Sequence, residues 1–406
     1  MLHILNSNRG ILSWGLVALF FFYDYLLKFS VSVLKPTLMV EFNITATVFA
    51  WVIAMYMLMY TVMQIPAGIL VDRWGTRRII TLAALACGAG CFLFSKADTT
   101  FALFVGRALI GFGASFALVT CSKLAAIWFN PNRFALLFGS MVTVAFLGGV
   151  FGINLSTYLL SLYGWRSGME LAGVGCIVIA AVMWWIIRDN NPNNPQNDTD
   201  KKISLGELFY QLLEVAQNKQ SWLSAIYAGL MFVPTTILAF WGTAYLSETN
   251  NLSLELAGGL SSTIFAGWIF GSPAYGYISD RLGKRKFLMF VSALSTLCVS
   301  SILIYTTGLS YITIAILMFL VGFCSSGFAL AFTALKENYS VTLVGAAMGF
   351  MNTINTLFES LSVIVVGQVI DLQLGATLCE NYQYALMFIP ASTILALITL
   401  LFIRAR

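Results

Sequence analysis

The sequence predicts an all-α membrane protein with twelve transmembrane helices in two pseudo-symmetric six-helix bundles. Three observations lead to this fold class. Of the 406 residues, 59% are hydrophobic and only 10% are charged, whereas a water-exposed surface needs roughly a quarter of its residues charged. The apolar residues are grouped in runs of about 20, the length of helix that crosses a bilayer. A loop motif in the first half of the chain also recurs in the second half.

The predicted spans form two blocks of six on either side of a polar break. They lie near residues 11–34, 47–70, 78–96, 101–126, 134–161 and 167–187, and near 222–246, 254–278, 286–306, 310–335, 343–366 and 383–403. This spacing predicts an N-terminal bundle at 1–188, a cytoplasmic linker at 189–220 and a C-terminal bundle at 221–406. Within the linker, the Asn- and Pro-rich stretch 190–197 predicts a flexible chain, and apolar residues at helical spacing over 204–216 predict an amphipathic helix on the membrane surface.

Positive charge sets the predicted orientation. Of the 22 Lys and Arg residues, 16 fall on the side that holds both termini, three on the opposite side and three within spans. Cytoplasmic loops are enriched in Lys and Arg, so we expect both termini in the cytoplasm. The same bias accounts for the net charge of +5 without a nucleic-acid partner. His3 is the only histidine, which excludes zinc-hydrolase motifs and Ser-His-Asp triads, and we expect no enzymatic activity, cofactor or metal site.

The motif G-x-x-x-D-R-x-G-x-[RK]-[RK] occurs once in each half. The copies occupy residues 68–78 and 276–286, 208 residues apart, and each follows the second span of its block. The glycines allow a close helix approach and a tight turn, the Asp offers a charge to a neighbouring helix end or Arg, and the basic residues anchor the loop among lipid headgroups. Two copies at equivalent positions indicate an internal duplication.

Twelve spans, a polar central linker and this doubled motif resemble the major facilitator superfamily over essentially the whole chain. The first copy matches the family's signature for the loop between spans 2 and 3. Arg107, Gly111 and Gly113 match a second pattern on the fourth span, although Ile110 stands where the family often has Gln.

The resemblance implies that the two bundles rock about a midplane site lined by helices 1, 4, 7 and 10. It also implies that the doubled loops are cytoplasmic latches, whose charge contacts differ between the inward-open and outward-open states. The expected latch residues are Gly68, Asp72, Arg73, Gly75, Arg77, Arg78, Gly276, Asp280, Arg281, Gly283 and Arg285.

Four ionisable residues within spans mark the candidate transport site, because charge inside a membrane is costly and usually functional. They are Asp24 and Lys28 on the first span, Arg107 on the fourth and Glu359 on the eleventh. A rise of about 1.5 Å per residue places Asp24 and Arg107 at similar depth, with Lys28 one turn from Asp24 on the same face. Since the family fold places helices 1 and 4 around one cavity, we expect Asp24 and Arg107 to pair, either as part of the mechanism or as a structural link.

Two cations beside one carboxylate suit a substrate carboxylate or phosphate, and a carboxylate held beside cations can exchange protons. We therefore expect Asp24 and Glu359 to carry protons. The second half contributes aromatic and amide side chains, for which packing against lipid is the alternative interpretation. The expected substrate ligands are Lys28, Arg107, Tyr227, Trp241 and Asn355.

The absence of a Walker A pattern favours a secondary carrier over a primary pump. Antiporters of the superfamily typically carry G-x-x-x-G-P on the fifth helix, and this chain has no Pro there, which favours import. The sequence thus predicts proton-coupled import of a small carboxylate-bearing or zwitterionic solute (an organic anion, amino acid or peptide) by a monomer in a bacterial inner membrane. The layout of the charged first helix is similar to that of organic-anion symporters of the superfamily. An exporter or antiporter of a metabolite or drug, and a transporter-like sensor, are the alternatives.

Overall fold

The structure is a computed structural model that describes residues 2–129, 134–189, 205–336, 339 and 341–404. The regular secondary structure of these residues is helical. The α-helices are α1 Leu2–Ser30, α2 Lys35–Glu41, α3 Ala46–Trp74, α4 Thr76–Ser95, α5 Thr100–Ala114, α6 Phe116–Trp128, α7 Phe134–Ile186, α8 Leu205–Gln217, α9 Lys219–Asn250, α10 Leu254–Leu282, α11 Arg285–Tyr305, α12 Tyr311–Ser325, α13 Ala329–Lys336, α14 Val341–Asp371, α15 Leu378–Leu386 and α16 Phe388–Phe402.

These helices give the predicted twelve spans. Ten segments of the described chain are long and apolar enough to cross a membrane. One of them holds two spans, because Gly164 has φ 76° and ψ 166° and so breaks α7 with a backbone conformation that side-chain-bearing residues avoid. The 29-residue α10, packed against α7, α9 and α12, is the remaining span. The linker helix predicted at 204–216 appears as α8, which packs against α9 and α14, and the stretch 190–197 lies outside the described residues.

Three spans are interrupted along their length. The first changes from α1 to a 3₁₀ turn at Val31–Leu34 before α2, and the fourth breaks between α5 and α6. The tenth breaks at the 3₁₀ turn Ser326–Phe328 between α12 and α13, at the place equivalent to the break in the fourth. Interruptions release backbone carbonyls from the helical ladder, and these carbonyls then accept hydrogen bonds from elsewhere.

Glycines bring spans of each bundle into backbone contact at equivalent crossings. A Cβ on Gly111 would lie 2.1 Å from the carbonyl oxygen of Tyr56, where span 4 crosses span 2. A Cβ on Gly322 would lie 1.9 Å from the carbonyl oxygen of Ile264, where span 10 crosses span 8. The duplication seen in the loop motif therefore extends to the packing of the two bundles.

Each copy of the loop motif turns at a glycine and ties its own bundle together. Gly75 has φ +83° and Gly283 has φ +63°, as the tight-turn interpretation requires. The backbone N–H of Arg77 donates to Asp189 Oδ1 (2.9 Å), after the end of the sixth span. Lys286 Nζ donates to two carbonyl oxygens at the end of the twelfth span (2.8 and 3.1 Å).

The acidic residue of each loop copy is an expected latch residue, but only that of the second copy has a described side chain. In the second copy Asp280 lies 3.7 Å from Arg285. The side chain of Asp72, the matching residue of the first copy, lies outside the described part of the structure. The latch role of both copies stays a prediction.

Candidate functional site

A buried ion pair joins the two bundles at the candidate site. Lys28 Nζ, on α1, lies 2.7 Å from Glu359 Oε2, on α14, and the two side chains are only 8% and 4% exposed. Asn355, one turn before Glu359, donates from Nδ2 to Glu359 Oε1 (3.4 Å). The sequence indicated each of these three residues separately, and the structure brings them together.

Tyr56 on α3 connects the other two buried charges. Its hydroxyl donates to Asp24 Oδ1, and the guanidinium carbon of Arg107 lies 4.9 Å from the centre of its ring. The direct pairing expected between Asp24 and Arg107 is wrong for this structure. Arg107 instead donates to the carbonyl oxygens of Leu27 (3.0 Å) and Lys28 (3.2 Å), which lie in the last turn of α1.

These contacts give the two cations different roles. Arg107 is fully buried and held by two backbone carbonyls and a ring, so it clamps the interrupted first span to the fourth. Lys28, in contrast, is held by the side-chain carboxylate of Glu359. Asp24 Oδ2 and Asn355 Oδ1 are buried without a hydrogen-bond partner. No cluster of three or more His, Cys, Asp or Glu that could hold a metal ion occurs among the described residues.

The two aromatic residues expected as substrate ligands lie elsewhere. Tyr227 is fully buried in an apolar cluster of the C-terminal bundle, and its hydroxyl donates to Met289 O (2.8 Å). Trp241 is also fully buried, with its ring 5.9 Å from the ring of Phe49 and 5.9 Å from Lys35 Nζ. The structure therefore brings Asn355, but neither of these rings, to the central ion pair.

A second ion pair, not foreseen from the sequence, closes the ends opposite the termini, here called the outer ends. Lys35 Nζ, at the start of α2, lies 2.7 Å from Glu248 Oε1 on α9. It also donates to the hydroxyl of Tyr382 on α15 (2.6 Å), which in turn donates to Glu248 Oε2 (2.8 Å). We call these three residues the outer triad. The sequence signal that could have indicated this triad is the position of Lys35. It lies seven residues after Lys28 and therefore, at about 100° per residue, on the same side of a helix.

Spans 2 and 11 are joined at the same outer level by a helix cap that crosses between the bundles. Asp371, the last residue of α14, accepts from the backbone N–H groups of Ala46 (2.9 Å) and Thr47 (2.7 Å). These are orphan donors of the first turn of α3, and a carboxylate there also meets the positive end of the helix dipole. Along the same seam, Asn352 Nδ2 donates to Gln64 Oε1 (2.9 Å).

Comparison with known proteins places this arrangement in context. The family model described as Major Facilitator Superfamily matches residues 16–363. The chain is 25% identical over 381 residues to the membrane sensor protein UhpC of Salmonella typhimurium, covering 88% of this chain and 84% of that protein. It is 22% identical over 431 residues to the gallate transporter of Pseudomonas putida, covering 96% and 93%.

A solved structure shows the same fold. It is a bacterial homologue of the human lysosomal transporter Spinster, in an inward-facing and unoccupied conformation. The TM-score is 0.78 with 15% sequence identity, covering 97% of this chain and 96% of that one. The likeness extends over both bundles.

Proposed function

Because the chain belongs to the major facilitator superfamily, a family of secondary transporters rather than enzymes, we propose that it imports a small carboxylate-bearing or zwitterionic solute together with a proton. The observation that carries this proposal is the buried Lys28–Glu359 pair, which joins the two bundles. We also propose that the protein is a monomer in a bacterial inner membrane with both termini in the cytoplasm.

Charge balance at the pair supports the coupling to a proton. Lys28 and Glu359 together are neutral, which is the state that a low-dielectric site tolerates. A substrate carboxylate that binds Lys28 displaces Glu359 and leaves one negative charge too many. A proton on Glu359 removes that charge, because a carboxylate without a cation in an apolar site favours its neutral form. Solute and proton then enter the site together, and the loaded site is neutral again.

Asp24 is the second proton site in this proposal. Its Oδ1 accepts from Tyr56, and its Oδ2 is buried without a partner. Asp24 lies one helical turn from Lys28, so its protonation changes the field on the ammonium that holds the substrate. Arg107 holds the carbonyl of Lys28 and so keeps this turn of α1 in place.

The experiment is uptake into proteoliposomes that enclose a pH-sensitive dye. A carboxylate offered outside is expected to acidify the interior of vesicles with the wild-type protein, after correction for passive entry into protein-free vesicles. Lys28→Met and Glu359→Gln are each expected to lower this coupled flux at least tenfold, because each leaves the other buried charge of the pair without its partner (~1.4 kcal/mol or more). Asp24→Asn is expected to lower it as far, because it removes the second proton site. Unchanged flux in all three variants would refute the proposal.

Matched surface variants control for the loss of a charge as such. Lys96, Asp98 and Glu255 are exposed, and Lys96→Met, Asp98→Asn and Glu255→Gln are expected to leave the flux unchanged. The side on which substrate is supplied also distinguishes an antiporter from a symporter. An antiporter would acidify the interior only when substrate is preloaded inside, whereas a symporter responds to substrate added outside.

A sensor is the second candidate, because a relative that covers most of the chain is named a membrane sensor protein. A sensor binds its ligand without moving it. Carboxylate-dependent thermal stabilisation of the purified protein that requires Lys28, combined with no flux in vesicles, would favour the sensor. Stabilisation and flux together favour the transporter.

A further inference from the structure

Two aromatic rings of the first span lie beside the ammonium of the central ion pair, and one of them packs against rings of the C-terminal bundle. Lys28 Nζ lies 5.5 Å from the centre of the Tyr25 ring and 5.3 Å from that of Phe29. Phe29, on the first span, contacts Phe240 and Phe265 of the C-terminal bundle, with ring centres 5.0 and 4.6 Å apart. The cation that we assign to the substrate is therefore lined by rings.

The ring cluster continues along the surface between the bundles. Phe146 of α7 stacks on Trp268 of α10, with centres 4.9 Å apart and planes 24° apart. Phe265, 6.2 Å from Phe146, links this stack to Phe29. All four rings are buried, at 4% exposure or less. Phe146 also contacts Tyr25, with ring centres 5.6 Å apart, so the stack adjoins the rings that lie beside the Lys28 ammonium.

The indole N–H of the stacked Trp268 is already part of a hydrogen-bond chain. Trp268 Nε1 donates to Thr235 Oγ1 (2.7 Å), which in turn shares a hydrogen bond with Ser325 Oγ (3.0 Å). Asn355 Oδ1 is an acceptor beside the pair without a partner. A solute with many hydroxyl groups would bury donors without acceptors here, at about 1–3 kcal/mol each. A hydroxyl or ammonium group can be accommodated at Asn355 Oδ1 or at Asp24 Oδ2.

The number of exchangeable cations limits the charge of the solute. Lys28 can exchange its carboxylate, whereas both terminal nitrogens of Arg107 are already held by carbonyl oxygens and only its Nε is without a partner. A second carboxylate on the solute would be buried without a cation, which is strongly unfavourable.

From the ring cluster and the single exchangeable cation, we infer that the solute is an aromatic monocarboxylate, with its carboxylate on Lys28 and its ring between faces such as those of Phe146 and Trp268. This inference rests on the proposed function and specifies the solute of the same site.

Competition for uptake of labelled benzoate into proteoliposomes tests the inference. Benzoate and cyclohexanecarboxylate have the same charge and nearly the same size, but only benzoate has an aromatic ring face. Unlabelled benzoate is expected to compete at a concentration about five- to tenfold lower than cyclohexanecarboxylate, as ring–ring contacts predict. Gluconate, with several hydroxyl groups, and phthalate, with two carboxylates, are expected to compete at concentrations more than tenfold higher than benzoate.

Variants assign the preference to the ring cluster. Trp268→Leu and Phe146→Leu are each expected to remove most of the advantage of benzoate over cyclohexanecarboxylate while uptake that depends on Lys28 persists. Trp185→Leu, whose ring is 77% exposed, is the matched control and is expected to change nothing.

The outcomes separate this inference from the proposed function. Uptake of carboxylates that depends on Lys28 but prefers gluconate, phthalate or cyclohexanecarboxylate overturns the aromatic solute and leaves the proposed function standing. A benzoate preference that survives in both ring variants also overturns the inference. If no carboxylate is taken up or bound, both the inference and the proposed function are refuted.

Discussion

The outer triad makes a quantitative prediction about conformation. Glu248→Gln removes the carboxylate that lies 2.7 Å from Lys35, whose side chain is 7% exposed, while that of Glu248 is 32% exposed. Breaking a fully buried pair costs about 3–5 kcal/mol and a surface pair 0–1 kcal/mol. Because Lys35 is buried and Glu248 is partly exposed, we expect breaking this pair to cost about 2 kcal/mol, which is about a 30-fold change in an equilibrium constant. Both charges become hydrated when the outer ends separate, so the whole change favours the outer-open state.

Distances between the outer ends measure this shift directly. Spin labels on cysteines introduced at Asp98 and Asn250, both exposed and on opposite bundles, report the separation in a background without the native cysteines. In the wild-type background we expect a short distance that matches the closed outer ends. In Glu248→Gln, the population at longer distance is expected to grow about 30-fold relative to the short one.

Exchanging the charges tests whether the ion pair itself is responsible. Lys35→Glu combined with Glu248→Lys rebuilds a pair of opposite charges at the same place and is expected to restore most of the short distance, whereas Lys35→Glu alone places two carboxylates together and opens the outer ends further. Identical distance distributions for wild type, Glu248→Gln and the single exchange would refute the idea that this pair holds the outer ends closed.

Three further predictions concern the cap between the bundles, the predicted latches and a helix crossing. Asp371→Asn weakens the cap that crosses between the bundles by about 1 kcal/mol, and the same spin labels are expected to show a smaller opening than in Glu248→Gln. Asp72→Asn and Asp280→Asn are expected to slow uptake without lowering expression, since both belong to the predicted latches, and unchanged turnover in both would remove that role. Gly111→Ala places a methyl group 2.1 Å from a backbone oxygen and is expected to destabilise the fold by about 3 kcal/mol, seen as a lower unfolding temperature in detergent. Gly139→Ala, with nothing within 4 Å of the added methyl group, is its control.

The fold follows from the sequence because its strongest determinants are local. The length of an apolar run, the side on which Lys and Arg accumulate and the recurrence of an eleven-residue motif can each be read without knowing any tertiary contact. Interruptions of spans were less visible. The 3₁₀ turn at Val31–Leu34 lies at the end of the predicted first span, where Pro36 fits the start of a new helix but nothing marks the 3₁₀ geometry before it.

The candidate site was only partly predictable, because depth in the membrane is one coordinate of three. Counting residues placed Asp24 and Arg107 at similar depth, but it does not say which way each side chain points around its helix. The partners in the structure, Lys28 and Glu359, are 331 residues apart in the sequence, and their meeting depends on how two bundles pack. Tyr56 carries no charge at neutral pH and lies in an apolar span, so no sequence signal marks it as the link between Asp24 and Arg107.

The two ion pairs between the bundles are carried by the same span but stand at different levels, and this difference separates their roles. Lys35 lies seven residues beyond Lys28, about 10 Å further out at a helical rise of 1.5 Å per residue. In the proposed transport cycle, bundles that rock about the midplane move least near the level of Lys28 and most at the outer ends, so we expect the outer triad to break in each cycle while the central pair can persist in both states. A proton alone on Glu359 leaves Lys28 unpaired, and a solute anion alone leaves excess negative charge, so only the paired empty site and the doubly loaded site are neutral. Changes at the centre are therefore expected to alter coupling and changes at the triad to alter the conformational equilibrium. Since sites about 10 Å apart with no shared partner act almost independently, their effects on flux are expected to add.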